Sequence, residues 1–180
     1  MKTDRIRSLT ITAVCVALCY VLPLAFHGLP IASSLSPMHI PVLLCGLICG
    51  GGWGLLCGIA GPVLSSLLSG MPPFAMLIRM IPELAVYGLV AGLSMKFIRT
   101  GKTLVDVYIS LAIAMILGRI AGGVATAIFF AVTTQVYSLT LWVTSYFVNA
   151  VPGIVAHLVL VPLLALTLIK ARVLPNRYSK

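Results

Sequence analysis

Five long apolar runs, near residues 8–26, 40–68, 74–97, 105–133 and 145–169, constrain this chain more than anything else in it. A helix needs about 20 such residues to cross the hydrocarbon of a bilayer. Only 8% of the residues are charged and 61% are hydrophobic, whereas a soluble domain carries about 25% charged residues. So few charges cannot build a solvated surface, so lipid must be the solvent for most of the chain. The formal charge of +9 would point to nucleic acid if it formed a basic cluster on a soluble face. It does not: the charges sit at the ends of apolar runs, which is the signature of membrane topology. No nucleic-acid partner is expected. The start, MKTDRIRSLTITAVCVALCYVLPLAF, has the basic head of a signal peptide, but its apolar body is longer than a cleaved h-region and more spans follow. It is read as a retained first helix.

The run 40–68 either crosses once or turns at Gly50, Gly51 and Gly52. Charge decides between the two. Of the twelve Lys and Arg, ten lie outside the spans or at their ends: Lys2, Arg5, Arg7, Lys96, Arg99, Lys102, Lys170, Arg172, Arg177 and Lys180. With five crossings, the loop around 96–102 and the C-terminal end fall on opposite sides of the membrane from Lys2. With six crossings all ten cations face the cytoplasm, as the positive-inside rule requires. The expected fold is therefore an all-α integral membrane protein, one membrane domain of six transmembrane helices near 8–26, 39–51, 53–68, 74–97, 105–133 and 145–169. Both termini are cytoplasmic. The spacings Gly46/Gly50/Gly54/Gly58, Gly88/Gly92 and Gly118/Gly122 let helix backbones approach closely.

Two cations remain, Arg79 and Arg119, and both lie within spans. A charge there costs about 2.5–3.5 kcal/mol on the insertion scale, so it must face a partner, a cavity or a ligand. Glu83, Asn149 and His157 share that situation, and His39 opens the second span. Arg79 and Glu83, four residues apart, are expected to pair along one helix face that continues to Tyr87. At 1.5 Å per residue, Arg79 lies about 7 Å and Glu83 about 13 Å from the outer end of their span. Arg119 and Asn149 also fall in the outer half. This clustering implies a cavity open to the exterior, formed by His39, Arg79, Glu83, Tyr87, Arg119 and Asn149. Arg79, Arg119 and Glu83 sum to one positive charge, which a ligand carboxylate would complete. The competing reading is an internal charged cluster that only pins helices.

Other chemistry is excluded. The five cysteines lie inside apolar runs and read as packing residues, so no metal is expected. TGKT at 100–103 lacks the first glycine of a P-loop, because residue 96 is lysine. His27, His39 and His157 read as hydrogen-bonding residues, and no nucleophile–base pair is spaced for catalysis, so the chain is not expected to be an enzyme or to carry a cofactor. Trp142 and Tyr146 read as interface anchors.

The first span carries Ala13-x-x-x-Ala17 on a basic-headed helix, followed by MHIPVLLCGLICG, PELAVYGLVAGL, LGRIAGGV and NAVPGIVAHLVLVPLL. This ordered set, covering nearly the whole chain, resembles the substrate-specific S components of energy-coupling factor (ECF) vitamin transporters. The resemblance implies a vitamin-binding subunit of the cell membrane. Its ligand site would lie near the exterior, and its partner would be an ECF module of two ATPases and a transmembrane coupling subunit. It assigns Ala13 and Ala17 to the contact with the coupling subunit, the segment 27–38 to a lid, and 69–73 to closing the site. Cobalt and nickel members resemble a pattern with Met-His at the very N-terminus, whereas Met38-His39 is internal here. The two outer arginines make pantothenate the first candidate among the family's vitamins. Cobalamin, folate, pyridoxine-type compounds and riboflavin are the alternatives. Two other classes compete: a membrane assembly or scaffold protein without a ligand, and a proton channel using Glu83 and His157.

Overall fold

The computed structural model describes residues 2–26, 36–133 and 138–170, without the side chains of 2–4 and 169–170. Most of the expected lid, His27 included, and the cations Arg172, Arg177 and Lys180 lie outside the described residues, as do the side chains of Lys2 and Lys170. Every regular element described is a helix: α1 (Lys2–Phe26), α2 (His39–Cys49), α3 (Gly51–Ser69), α4 (Phe74–Phe97), α5 (Thr103–Val132), the short α6 (Leu139–Val143) and α7 (Val151–Lys170). Five are long and apolar enough to cross a membrane, over Arg5–Phe26, Gly51–Ser69, Phe74–Phe97, Thr103–Val132 and Val151–Leu168. Their outward faces expose Leu9, Val14, Leu56, Ile116, Val124 and Val155. Removing that much apolar surface from water requires a hydrocarbon surround.

The second element departs from the rest. Helix α2 has eleven residues, about 16 Å of helix, roughly half of the hydrocarbon thickness. It touches no lipid along most of its length, because His39 and all residues from Pro41 to Cys49 are buried. It packs against α1, α3, α4 and α7 at once. Its start lies level with Glu83, with which His39 is in contact. Glu83 is nine residues, about 13 Å, into α4. The two lengths sum to about one bilayer thickness, so α2 occupies the half of the bundle that the cavity described below leaves filled.

The α2–α3 turn is made by Gly50, whose φ of 95° is open to glycine and unfavourable for other residues. Helix α3 then returns along α4, and the two approach through glycine. A Cβ on Gly54 or on Gly88 would overlap the other's carbonyl group, and a Cβ on Gly58 would fall 2.6 Å from the Leu84 carbonyl carbon. The α2–α3 turn meets the last turn of α4, with Lys96 and Arg99, around a hollow of about 500 Å³. The bundle thus has a cationic end. Pro23, near the end of α1, lies at the other end.

Helix α6 passes into a π-helical turn, Thr144–Val148, in which the Asn149 N–H donates to the Thr144 carbonyl at 2.9 Å. Helix α7 begins two residues later. The widened turn shifts the phase of every side chain before it relative to α7.

Candidate functional site

At the end of the bundle opposite Lys96 and Arg99 lies a cavity of about 750 Å³. The start of α2 forms its floor, α4 and α5 one wall, and the π-turn with α7 the other. The connection between α3 and α4, including Met71, Pro72 and Pro73, borders it. Cavities of about 300–1,000 Å³ hold small organic molecules.

Among the described residues, two histidines, two arginines and one carboxylate line it: His39, His157, Arg79, Arg119 and Glu83. Glu83 is buried, and its Oε1 accepts a hydrogen bond from the Tyr87 hydroxyl at 3.0 Å. The His39 Nε2 stands 3.6 Å from the same oxygen. Tyr87 stands behind Glu83, its ring pressed against Gly118 of α5, where a Cβ would overlap it. The His39 ring meets Tyr87 edge-on at 5.2 Å and stacks on His157 at 5.6 Å. Both imidazoles approach the Ser36 carbonyl, His39 Nδ1 at 3.1 Å and His157 Nε2 at 3.4 Å. Four helices are thereby tied to one polar group: α2 by His39, α4 by Glu83 and Tyr87, α5 by the Gly118 contact and α7 by His157.

The two arginines differ in surroundings. Arg79 is half-buried. Its Nε donates to the Ala75 carbonyl at 3.1 Å, and its guanidinium lies over the rings of Phe129 and Phe130 at 5.6 and 5.5 Å. Arg119 is 6% exposed, and its Nε has no hydrogen-bond partner among the described residues. Its guanidinium lies 5.7 Å from the Phe147 ring. The backbone at this position is held from α6, where the Trp142 indole N–H donates to the Arg119 carbonyl at 3.4 Å.

Of the residues expected from sequence, His39, Arg79, Glu83 and Arg119 line the cavity, and Tyr87 supports Glu83 from behind. Three expectations are corrected. Arg79 and Glu83 form no ion pair: Arg79 is turned onto Phe129 and Phe130, and Glu83 faces Tyr87 and His39. Asn149 is exposed and is not part of the lining: it stands in the turn at 149–150 between the π-turn and α7, outside the helix along which it aligns with Gly153 and His157. The π-turn sends Tyr146 inward, not to an interface. Tyr146 lines the cavity, and its hydroxyl is 2.9 Å from the Thr126 Oγ1. Four methionines border the cavity: Met38 and Met71, within the segments expected to cover the site, and Met76 and Met80, which nothing in the sequence singled out. No pattern separates a cavity methionine from a lipid-facing one, although four of the chain's seven methionines fall between residues 38 and 80. Among the described residues no group of His, Cys, Asp and Glu is placed to hold a metal ion.

The model of one family, "ECF transporter, substrate-specific component", matches residues 7–165. The chain belongs to this family. It is a substrate-binding subunit of an ECF transporter and not an enzyme. As such it is a multi-pass protein of the cell membrane that binds a small molecule and associates with an ECF module within the membrane. No curated protein and no solved structure matches the chain.

Proposed function

We propose that this S component captures a small, anionic, water-soluble vitamin from outside the cell, with pantothenate the first candidate. The bound vitamin passes to an ECF module of two ATPases and a transmembrane coupling subunit. The observation that carries this reading is the cavity itself, which sets two arginines against one carboxylate. A monoanionic ligand neutralises that set, whereas a neutral vitamin such as riboflavin leaves one charge over. The volume suits a compact vitamin better than cobalamin.

The chain crosses six times in this reading, with α2 the short second crossing and both termini cytoplasmic. The placement of Lys96 and Arg99 at the end away from the cavity supports it, since cations gather on the cytoplasmic side. His39, Arg79, Glu83, Tyr87 and Arg119 form the binding site. Ala13 and Ala17 offer the coupling subunit a flat stripe, and both are exposed on α1. Small side chains let a second helix approach closely in lipid.

The test is calorimetric titration of the purified chain against a panel of water-soluble vitamins. Saturable, tight binding of pantothenate is the expected result. Binding of another vitamin with pantothenate inert removes the substrate assignment, and no binding by any member removes the capture role.

A further inference from the structure

The sharpest unresolved chemistry in the molecule is the Arg119 guanidinium. It is buried and lines the cavity, and its Nε lacks a partner among the described residues. Glu83, the one carboxylate lining the cavity among the described residues, is engaged by Tyr87 and His39 and makes no ion pair with it. A guanidinium is a rigid fork of donors that matches a carboxylate with two parallel hydrogen bonds. Arg79 is differently placed. Its Nε is used by a backbone carbonyl, its charge rests on two aromatic faces, and it is half-buried rather than enclosed.

Glu83 supplies the complementary half. Its Oε1 holds the Tyr87 hydroxyl, while its Oε2 has no hydrogen-bond donor among the described residues. An ionised carboxylate only accepts hydrogen bonds, so the part of a ligand that meets Oε2 must donate.

We infer that Arg119, and not Arg79, seats the acid group of the ligand, and that Glu83 receives a hydroxyl, amide or amine donor from the same molecule. This rests on the reading of the cavity as the substrate site. The ligand class is a carboxylic acid carrying hydrogen-bond donors. Arg79 serves as an attracting charge near the entrance, which changes the rate of capture more than its strength.

The experiment pairs each acid with its uncharged derivative: pantothenate with pantothenol, biotin with its methyl ester, nicotinate with nicotinamide. Each is titrated into the full-length wild-type chain and into Arg119→Gln, Arg119→Lys and Arg79→Gln. Wild type is expected to prefer the acid of one pair by roughly 10- to 100-fold, the value of a charge-assisted contact. Arg119→Gln is expected to erase that preference by weakening the acid alone, with its melting temperature equal to or above wild type, because an unpaired buried charge has been removed. Arg119→Lys keeps part of the preference. Arg79→Gln retains it while slowing association.

An acid preference that survives Arg119→Gln, or that Arg79→Gln abolishes, overturns the assignment while leaving the capture role standing. Loss of both acid and neutral binding in Arg119→Gln together with a fall in melting temperature marks Arg119 as a pinning residue and also overturns it. Failure of the wild-type chain to bind any pair overturns the assignment, and the capture role falls with it only when the full vitamin panel is inert as well.

Discussion

Replacing Gly88 by alanine tests the packing that holds the cavity wall in place. A Cβ at this position would overlap the Gly54 carbonyl group on α3 and fall 2.9 Å from the Gly54 Cα. On α2, a Cβ added to Gly46 would likewise overlap the Gly88 carbonyl. All of these neighbours are backbone, so no change of rotamer relieves the overlap, and α3 and α4 must separate. Overpacking of a filled core costs about 1–3 kcal/mol, and the absence of a movable side chain puts this case in the upper half of that range. The helix preference of alanine over glycine returns about 0.5–1 kcal/mol. The net loss expected for Gly88→Ala is therefore about 1–2.5 kcal/mol. The control is Gly52→Ala, where a Cβ would meet nothing within 4 Å, and the expected change is zero or slightly stabilising. Both variants are compared in mixed micelles by denaturation with a harsh detergent, followed by circular dichroism. Equal stability of the two would refute the glycine-mediated contact between α3 and α4.

Two further outcomes follow from the site and from α1. Glu83→Gln keeps an acceptor for the Tyr87 hydroxyl but removes the charge that a ligand donor meets; the difference between charged and neutral hydrogen bonds predicts a loss of about five- to tenfold in vitamin affinity by calorimetry. An unchanged affinity would take Glu83 out of the site. Joint replacement of Ala13 and Ala17 by tryptophan fills the exposed stripe on α1 and is expected to reduce recovery of the ECF module in pull-downs while the purified variant still titrates with vitamin. Full recovery of the module would place the interface elsewhere.

The helical membrane class is readable directly from the apolar runs, since a bilayer leaves a chain of this composition few other solutions. The turn at Gly50 is readable too, because three consecutive glycines interrupt the run and only a turn there keeps the flanking cations on one side of the membrane. What sequence does not convey is that α2 begins deep in the bundle. Its apolar residues look like those of any span, and only packing reveals that they face protein on every side. The site divides along the same line. Arg79, Glu83 and Arg119 stand out because ionisable groups in hydrocarbon are costly. Their partners do not: i,i+4 spacing favours an Arg79–Glu83 pair, but Phe129 and Phe130 on another helix compete for Arg79, and His39 and Tyr87 compete for Glu83. Tyr146 and Asn149 differ from expectation for separate reasons. The residue type of Tyr146 and its place near the outer end of a span suit an interface anchor, but the π-turn Thr144–Val148 directs it to the cavity, whereas counting Asn149 along one uninterrupted helix overlooks the turn in which it stands.

Substrate-protected labelling of Met71→Cys in intact cells tests the central claim most directly. Met71 borders the cavity and is 42% exposed, and the five native cysteines are buried and unlinked. The account predicts that a membrane-impermeant maleimide added outside the cells modifies the introduced thiol, and that saturating vitamin slows the reaction. Modification that requires access from the cytoplasmic side, or that ignores the vitamin, would contradict a binding cavity open to the exterior.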